Sequence, residues 1–138
     1  MTRNLPVLVL ELARGSYLLP VEMTSGIREA VHLADLPFHH AQWDGMLDWQ
    51  GQAVTVLNAA ALLDDGAAPG DPVLVRLAPP YEMIALRVDG RIRMERVDVD
   101  VNEFGEPQEA SLTENELGRW LDLTGLISTG RELEVGTR

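Results

Sequence analysis

Apolar residues in this chain recur with the two-residue period of strands and are interrupted at short intervals by turn residues, and no other feature limits the fold as tightly. Val97-Asp98-Val99-Asp100-Val101 alternates without a break, which places one face in a core and the other, acidic, in water. Leu5–Leu12 is a nearly continuous apolar run, short enough for a buried strand. Tyr17–Val21 reads as its return partner across Ala13-Arg14-Gly15-Ser16, with Pro20 marking an edge or a bulge. Ile27–Leu33 is a third short element. Gly45–Trp49 and Ala53–Leu57 flank Gln50-Gly51-Gln52, where Gly51 supplies the positive φ of a tight hairpin. Asp64–Pro72 is a surface loop, and beyond it Val73–Leu77, Met83–Val88 and Ile92–Val101 are divided by Pro79-Pro80 and Asp89-Gly90. Leu123–Ile127 and Arg131–Val135 are the last expected strands. Helix is expected only in one or two short pieces. Asn58 can cap Ala59–Leu63, and Thr113-x-x-Glu116 has the spacing of a capping box.

Many short strands with closely spaced turns predict an all-β barrel or sandwich. Each half holds about five strand candidates, which suits two small barrels sharing one core, since neither alone would bury enough surface. A chain of 138 residues, 46% of them hydrophobic, can build such a core without staples. It has no choice, because cysteine is absent. That absence excludes disulfides, thiolate zinc sites, iron–sulfur clusters and cysteine nucleophiles. All 11 basic residues are arginine, so Schiff-base lysine chemistry and the P-loop lysine are excluded too. The net charge of −11 disfavours phosphate backbones and anionic membranes as partners. The first apolar run is too short for a membrane span, and no leader is recognisable, so a cytoplasmic protein is expected.

Three constellations could carry chemistry. Asp98-x-Asp100-x-Asn102 with Glu109 places oxygen ligands at the first, third, fifth and twelfth positions of a calcium loop. Glu103 stands where that loop wants glycine, Pro107 stiffens it and a strand enters it, so a solvated acidic strand and loop is the preferred reading. His32, His39 and His40 lack ligand spacing, and Ser16, Ser25, Ser111 and Ser128 lie in no nucleophile elbow. No catalytic residue, metal site or cofactor is expected.

Gly45-x-x-x-Trp49-Gln50-Gly51-x-x-Val54-Thr55-Val56-x-Asn58 resembles the G-x-x-x-L-R-G-x-x-x-P-V-x-D segment of CheW-like domains, the bacterial chemotaxis coupling proteins. Tyr17-x-x-Pro20-Val21 followed by Ile27, then Ala85-Leu86-Arg87-Val88-Asp89, then Leu123-Thr124-Gly125-Leu126 with Gly130-Arg131 resemble further family pieces in the right order. The resemblance implies one CheW-like domain over residues 1–138 made of two intertwined five-stranded, SH3-like barrels, roughly 14–64 plus late strands and 73–122 plus the first strand. It implies a non-enzymatic adaptor that bridges a chemoreceptor's cytoplasmic tip to the regulatory domain of a CheA-like histidine kinase. A coupler of a type IV pilus twitching pathway is the alternative, and a calcium-binding barrel a more distant one.

Partner contacts are expected at Gly26, Ile27, Gly45, Trp49, Gln50, Gly51, Asn58, Arg87 and Arg91, of which the resemblance makes Gly26 and Gln50 match family contact positions. Several of these depart from the family pattern. Gln50 stands for an arginine, Thr55 for a proline, Asn58 for an aspartate, Gly26 for a glutamate and Ala85 for a glycine, and the chain leaves little room for the family's C-terminal helix. Trp43 and Trp49 are either interface anchors or barrel plugs. Arg76, Arg87, Arg91, Arg93 and Arg96 form a basic window that meets either an acidic partner or the chain's own carboxylates.

Overall fold

The computed structural model describes residues 1–29, 43–68, 71–108, 114–125 and 127. In chain order the strands are β1 (Thr2–Glu11), β2 (Ser16–Pro20), β3 (Thr24–Glu29), β4 (Trp43–Trp49), β5 (Gln52–Asn58), β6 (Val73–Leu77), β7 (Ile84–Val88), β8 (Arg91–Asp100), β9 (Glu114–Asn115) and β10 (Gly118–Trp120). One helix, α1 (Ala59–Leu62), and a 3₁₀ turn at Val21–Met23 accompany them. The strands form two five-stranded sheets, ordered β8-β1-β2-β10-β9 and β3-β6-β7-β5-β4. The fold is therefore all-β, as the periodicity requires. Sheet membership does not follow the Asp64–Pro72 loop, because β6 and β7 pair with β3 and β5 while the first sheet joins β1 and β2 to β8, β9 and β10.

The packing follows from which faces are apolar. Leu8, Leu10 and Leu19 of the first sheet meet Leu57, Val75, Leu77 and Leu86 of the second in a core between the sheets. Behind the first sheet, Leu5, Val7, Val9, Leu18, Val97, Val99 and Trp120 form a second core. Behind the second, Leu47, Trp49, Val54, Val56, Leu74 and Ala85 form a third. In β8, Val97 and Val99 are buried while Asp98 and Asp100 are exposed, as the strict alternation predicts.

Local chemistry explains the element ends. Asn58 Oδ1 accepts from the Ala61 amide at 3.2 Å and caps α1. Gly51 has φ 85°, as the hairpin needs, and Gln50 also takes a positive φ of 53°. The Gly51 amide donates to Asp48 Oδ1 at 2.7 Å across that turn.

Two expectations change. Leu123–Ile127 is not a strand, since residues 123–125 and 127 are helical. Asp122 Oδ1 accepts from the Gly125 amide at 3.1 Å, an N-cap contact that starts a helical turn where the apolar run alone suggested extension. The expected helical turn at Thr113-x-x-Glu116 is replaced, from Glu114 onward, by the antiparallel pair β9 and β10. Thr113 itself, Leu33, His32, His39, His40, Glu109 and Arg131–Val135 lie outside the described residues.

Asp65 ties the exit of α1 to the β1–β2 turn. Its carboxylate accepts from the Tyr17 hydroxyl at 2.7 Å, the Gly66 amide at 2.7 Å and the Arg14 amide at 2.8 Å. The Tyr17 hydrogen bond foremost, with the two amides and Arg14, holds the carboxyl below its ordinary pKa against the opposing effect of burial. A depressed folded pKa stabilises the fold above the unfolded carboxylate range and loses that stabilisation as pH falls through the folded pKa. Asp65→Asn should lower stability by about 1–3 kcal/mol at neutral pH. In denaturant titrations repeated from neutral pH downward, the gap to the unsubstituted protein should close as the solution is acidified below about pH 4.

Candidate partner-binding site

Trp49 ends β4 just before the Gln50-Gly51 turn and is only 6% exposed. It is part of the third core, so the barrel-plug reading holds for this side chain. Its ring is nevertheless the floor of a surface depression of about 570 Å³, lined by Gly26, Ile27, Arg28, Gln50, Arg76 and Glu82 among others. The arrangement depends on Gly26. A Cβ there would meet Trp49 Cζ2 at 3.2 Å, so any side chain at this position would press on the ring and force it to give slightly. A register shift between Thr24 and Gly26 bends β3 at the same place, and Ile27 beyond it is 49% exposed.

Two guanidinium groups lie over the Trp49 ring, that of Arg28 at 5.3 Å from the ring centroid and that of Arg76 at 6.0 Å. Both are within the range at which the ring quadrupole attracts a cation. Arg76 is 7% exposed, sits opposite Gly26 in the β3–β6 register, and donates through Nε to the Glu82 carbonyl at 2.7 Å and through Nη2 to Gln52 Oε1. Its hydrogen-bond partners are neutral, and Glu82 Oε2 is buried without a partner among the described residues. The depression thus combines an aromatic floor, two arginines and a half-buried carboxylate. No sequence pattern marked Arg28 or Glu82 as part of a site. Arg76 carried a signal, as the one charge inside Val73-Leu74-Val75-Arg76-Leu77.

Gly45, Asn58 and Arg87 gather at a different place. Gly45 lies at a register shift in β4, and Asn58 stands opposite Arg87 in the parallel β5–β7 pair. Arg87 contacts Asp89 at 3.1 Å and Asp44 at 3.5 Å. The second distance is an ion-pair approach that leaves Asp44 Oδ2 without a hydrogen bond among the described residues. Burial therefore raises the Asp44 carboxyl above its ordinary pKa, with Arg87 and then Asn58 acting against the rise. Gly51 is at the hairpin tip next to Gln50. Arg91 is exposed on β8, in the other sheet. Of the basic window, Arg87 and Arg93 pair with the chain's own acids, Arg93 with Glu11 at 3.0 Å and with Glu95. Arg96 donates to Asn4 Oδ1 at 2.8 Å. Trp43 is half-buried against the inter-sheet core, with its Nε1 lacking a hydrogen-bond partner among the described residues.

A second surface went unnoticed in the sequence. Leu5, Leu19, Met23, Pro107, Trp120 and Leu123 line much of a mainly apolar groove of about 550 Å³. Trp120 Nε1 is buried there with no hydrogen-bond partner among the described residues.

The calcium reading finds no support in the geometry. Asp98 Oδ1 accepts from Asn4 at 3.1 Å, and Asn102 Oδ1 accepts from the Phe104 and Glu106 amides of its own turn at 2.9 and 3.0 Å. Among the described residues no group of three or more histidines and carboxylates could hold a metal, and Glu109 is outside them. No helix among the described residues is long and apolar enough to cross a membrane.

Two substitutions test this geometry. Trp49→Ala should cost about 3–5 kcal/mol of stability, as the loss of a buried aromatic does, read from chemical unfolding. Asp44→Asn should raise the melting temperature at pH 7. A raised folded pKa means the charged carboxylate is penalised in the fold, and the penalty disappears as pH falls below about 4 and the group protonates in both states. The difference between the two proteins should vanish over that same fall.

Comparison with known proteins agrees with this architecture. The family model described as "CheW-like domain" matches residues 6–129. Among solved structures, the scaffolding protein TtCheW from Thermoanaerobacter tengcongensis superposes with a TM-score of 0.61 at 15% identity, covering 83% of this chain and 73% of that one. No curated protein matches the chain by sequence.

Proposed function

The chain belongs to the CheW-like domain family of non-enzymatic scaffolds, and we propose that it is a cytoplasmic adaptor that bridges a chemoreceptor's cytoplasmic tip and the regulatory domain of a CheA-like histidine kinase. The observation that carries this reading is a convergence. Gly26, Ile27, Trp49 and Gln50, scattered over β3, β4 and the hairpin turn, line one depression. An adaptor needs a second surface, and the apolar groove at Met23 and Trp120 supplies one whose lining shares no residue with the first. The two also differ in character. The first offers guanidinium groups and a ring face for polar, orientation-dependent recognition. The second offers an apolar channel suited to the buried face of an amphipathic segment.

Two exposed side chains separate the surfaces experimentally. Ile27 is 49% exposed and Met23 39% exposed, so an aspartate at either should leave folding intact. Calorimetric titrations against the purified kinase regulatory domain and the receptor tip should show each variant losing one partner by at least about tenfold and keeping the other. Loss of the same partner by both variants, or binding of neither partner by the unsubstituted protein, would overturn the assignment.

A further inference from the structure

The outer strand of the first sheet is shaped to pair with a second copy of itself. β8 pairs with β1 over its full length, from Thr2 opposite Asp100 to Glu11 opposite Arg91, and among the described residues no strand lies on its other side. The Val101 amide donates to the Met1 carbonyl at 3.0 Å. Backbone groups alternate in direction along a strand, so odd-numbered residues of β8 turn theirs toward β1 and even-numbered residues turn theirs outward. The Asp100 carbonyl confirms the parity, because it accepts from the Gln108 amide at 2.8 Å on the outer side. The chain's own return thus closes the edge at Asp100. Ile92, Met94, Arg96 and Asp98 keep outward-facing backbone groups, and Met94 in their middle is 64% exposed.

An open edge of this length recruits another strand unless its side chains forbid it. In an antiparallel pair of identical strands, outward residues must face outward residues, which restricts the two-fold axis to a residue position. Centred on Arg93, Glu95 or Arg96, the pairing sets like charges opposite each other on the axis. Centred on Ile92, it sets Arg91 opposite Arg93. Centred on Val97, it needs the Asp100 edge that Gln108 occupies. Centred on Met94, it sets Met94 against Met94, Ile92 against Arg96, and Arg93 against Glu95 twice. Opposite charges directly across a strand pair attract, and like charges there repel.

The geometry points to a homodimer in which β8 strands of two copies pair antiparallel about Met94, joining the two first sheets into one continuous sheet. This goes beyond the adaptor reading and does not depend on it. The Trp49 depression is in the other sheet, so a dimer would present two copies of it and bind a partner array with avidity. An edge-to-edge contact is small, which places it in the weak class of interfaces.

The test is a rescue between two charge variants of the full chain. Sedimentation equilibrium up to about 1 mM protein should show a monomer–dimer equilibrium for the unsubstituted protein. Arg93→Glu and Glu95→Arg should each weaken it about tenfold or more, because each sets like charges opposite at both symmetric places. Mixing the two variants should restore dimers as a heterodimer, since the acidic edge of one meets the basic edge of the other. The double swap Arg93→Glu with Glu95→Arg should also dimerise. The contact of Arg93 with Glu95 within one chain cannot produce rescue on mixing. Hydrogen exchange at the Ile92, Met94 and Arg96 amides should slow as concentration rises, with the odd-numbered amides of β8 unchanged. A monomer throughout the concentration range, single variants that still dimerise, or a mixture that stays monomeric would each overturn the proposal.

Discussion

β1 is buried on both faces, and the rest of the structure depends on that. Its even-numbered side chains Leu8 and Leu10 enter the core between the sheets, while the odd-numbered Leu5, Val7 and Val9 enter the core behind the first sheet. Each fully buried aliphatic side chain is worth about 1.5–3 kcal/mol of transfer free energy, and one strand contributes to two cores at once. A strand in that position must be flanked by hydrogen-bonding neighbours on both edges, because its backbone has no access to water. β2 supplies one edge locally and β8, which follows the second sheet's strands in the chain, supplies the other. The long-range return of β8 also brings Pro107 to the groove that Trp120 lines.

The same demand makes this part of the fold readable from sequence. A strand buried on both faces must be a continuous apolar run, as Leu5–Leu12 is, and one buried on a single face must alternate, as Val97–Val101 does. The hairpin at Gly51 is legible because the turn geometry demands a positive φ, though Gln50 adopts one as well without any residue-type signal. Leu123–Ile127 was illegible as a helix because a short apolar run has no period of its own. The deciding information was the Asp122 side chain beside it, a cap that reads correctly only in hindsight. The site divides along the same line. Gly26, Ile27, Trp49 and Gln50 came from a family resemblance, whereas Arg28 and Glu82 join them only through packing of β3 and the β6–β7 connection around Trp49.

Electrostatics explains why the basic window does not behave as a patch. In a chain of charge −11 a guanidinium finds carboxylates nearby, and Arg87 and Arg93 each contact two. Such pairs at the surface contribute little stability, but the two aspartates around Arg87 remove it from the pool available to an adaptor's partner. Arg28 is different, because among the described residues what holds it is the Trp49 ring. A cation resting on an aromatic face keeps its hydrogen-bond donors for an incoming acceptor, and a planar guanidinium can engage a carboxylate through two of them.

The departures from the family pattern make physical sense once both lie in one place. The resemblance assigns a glutamate to the position of Gly26 and an arginine to that of Gln50, and here the two positions line the same depression. Losing an interfacial charge whose counterpart on a docked partner stays buried costs about 2–5 kcal/mol, so a partner of this chain must suit both changes. Gly26 then lets β3 lie close over Trp49, since a Cβ would already press on the ring at 3.2 Å. The polarity of the depression passes to Arg28 and Arg76, which lie over the ring. The depression thus presents a cationic rim around a ring, in a protein whose net charge is −11. Any partner that docks in this depression must present an acceptor to the guanidinium groups, and one that brings a positive charge there would meet Arg28.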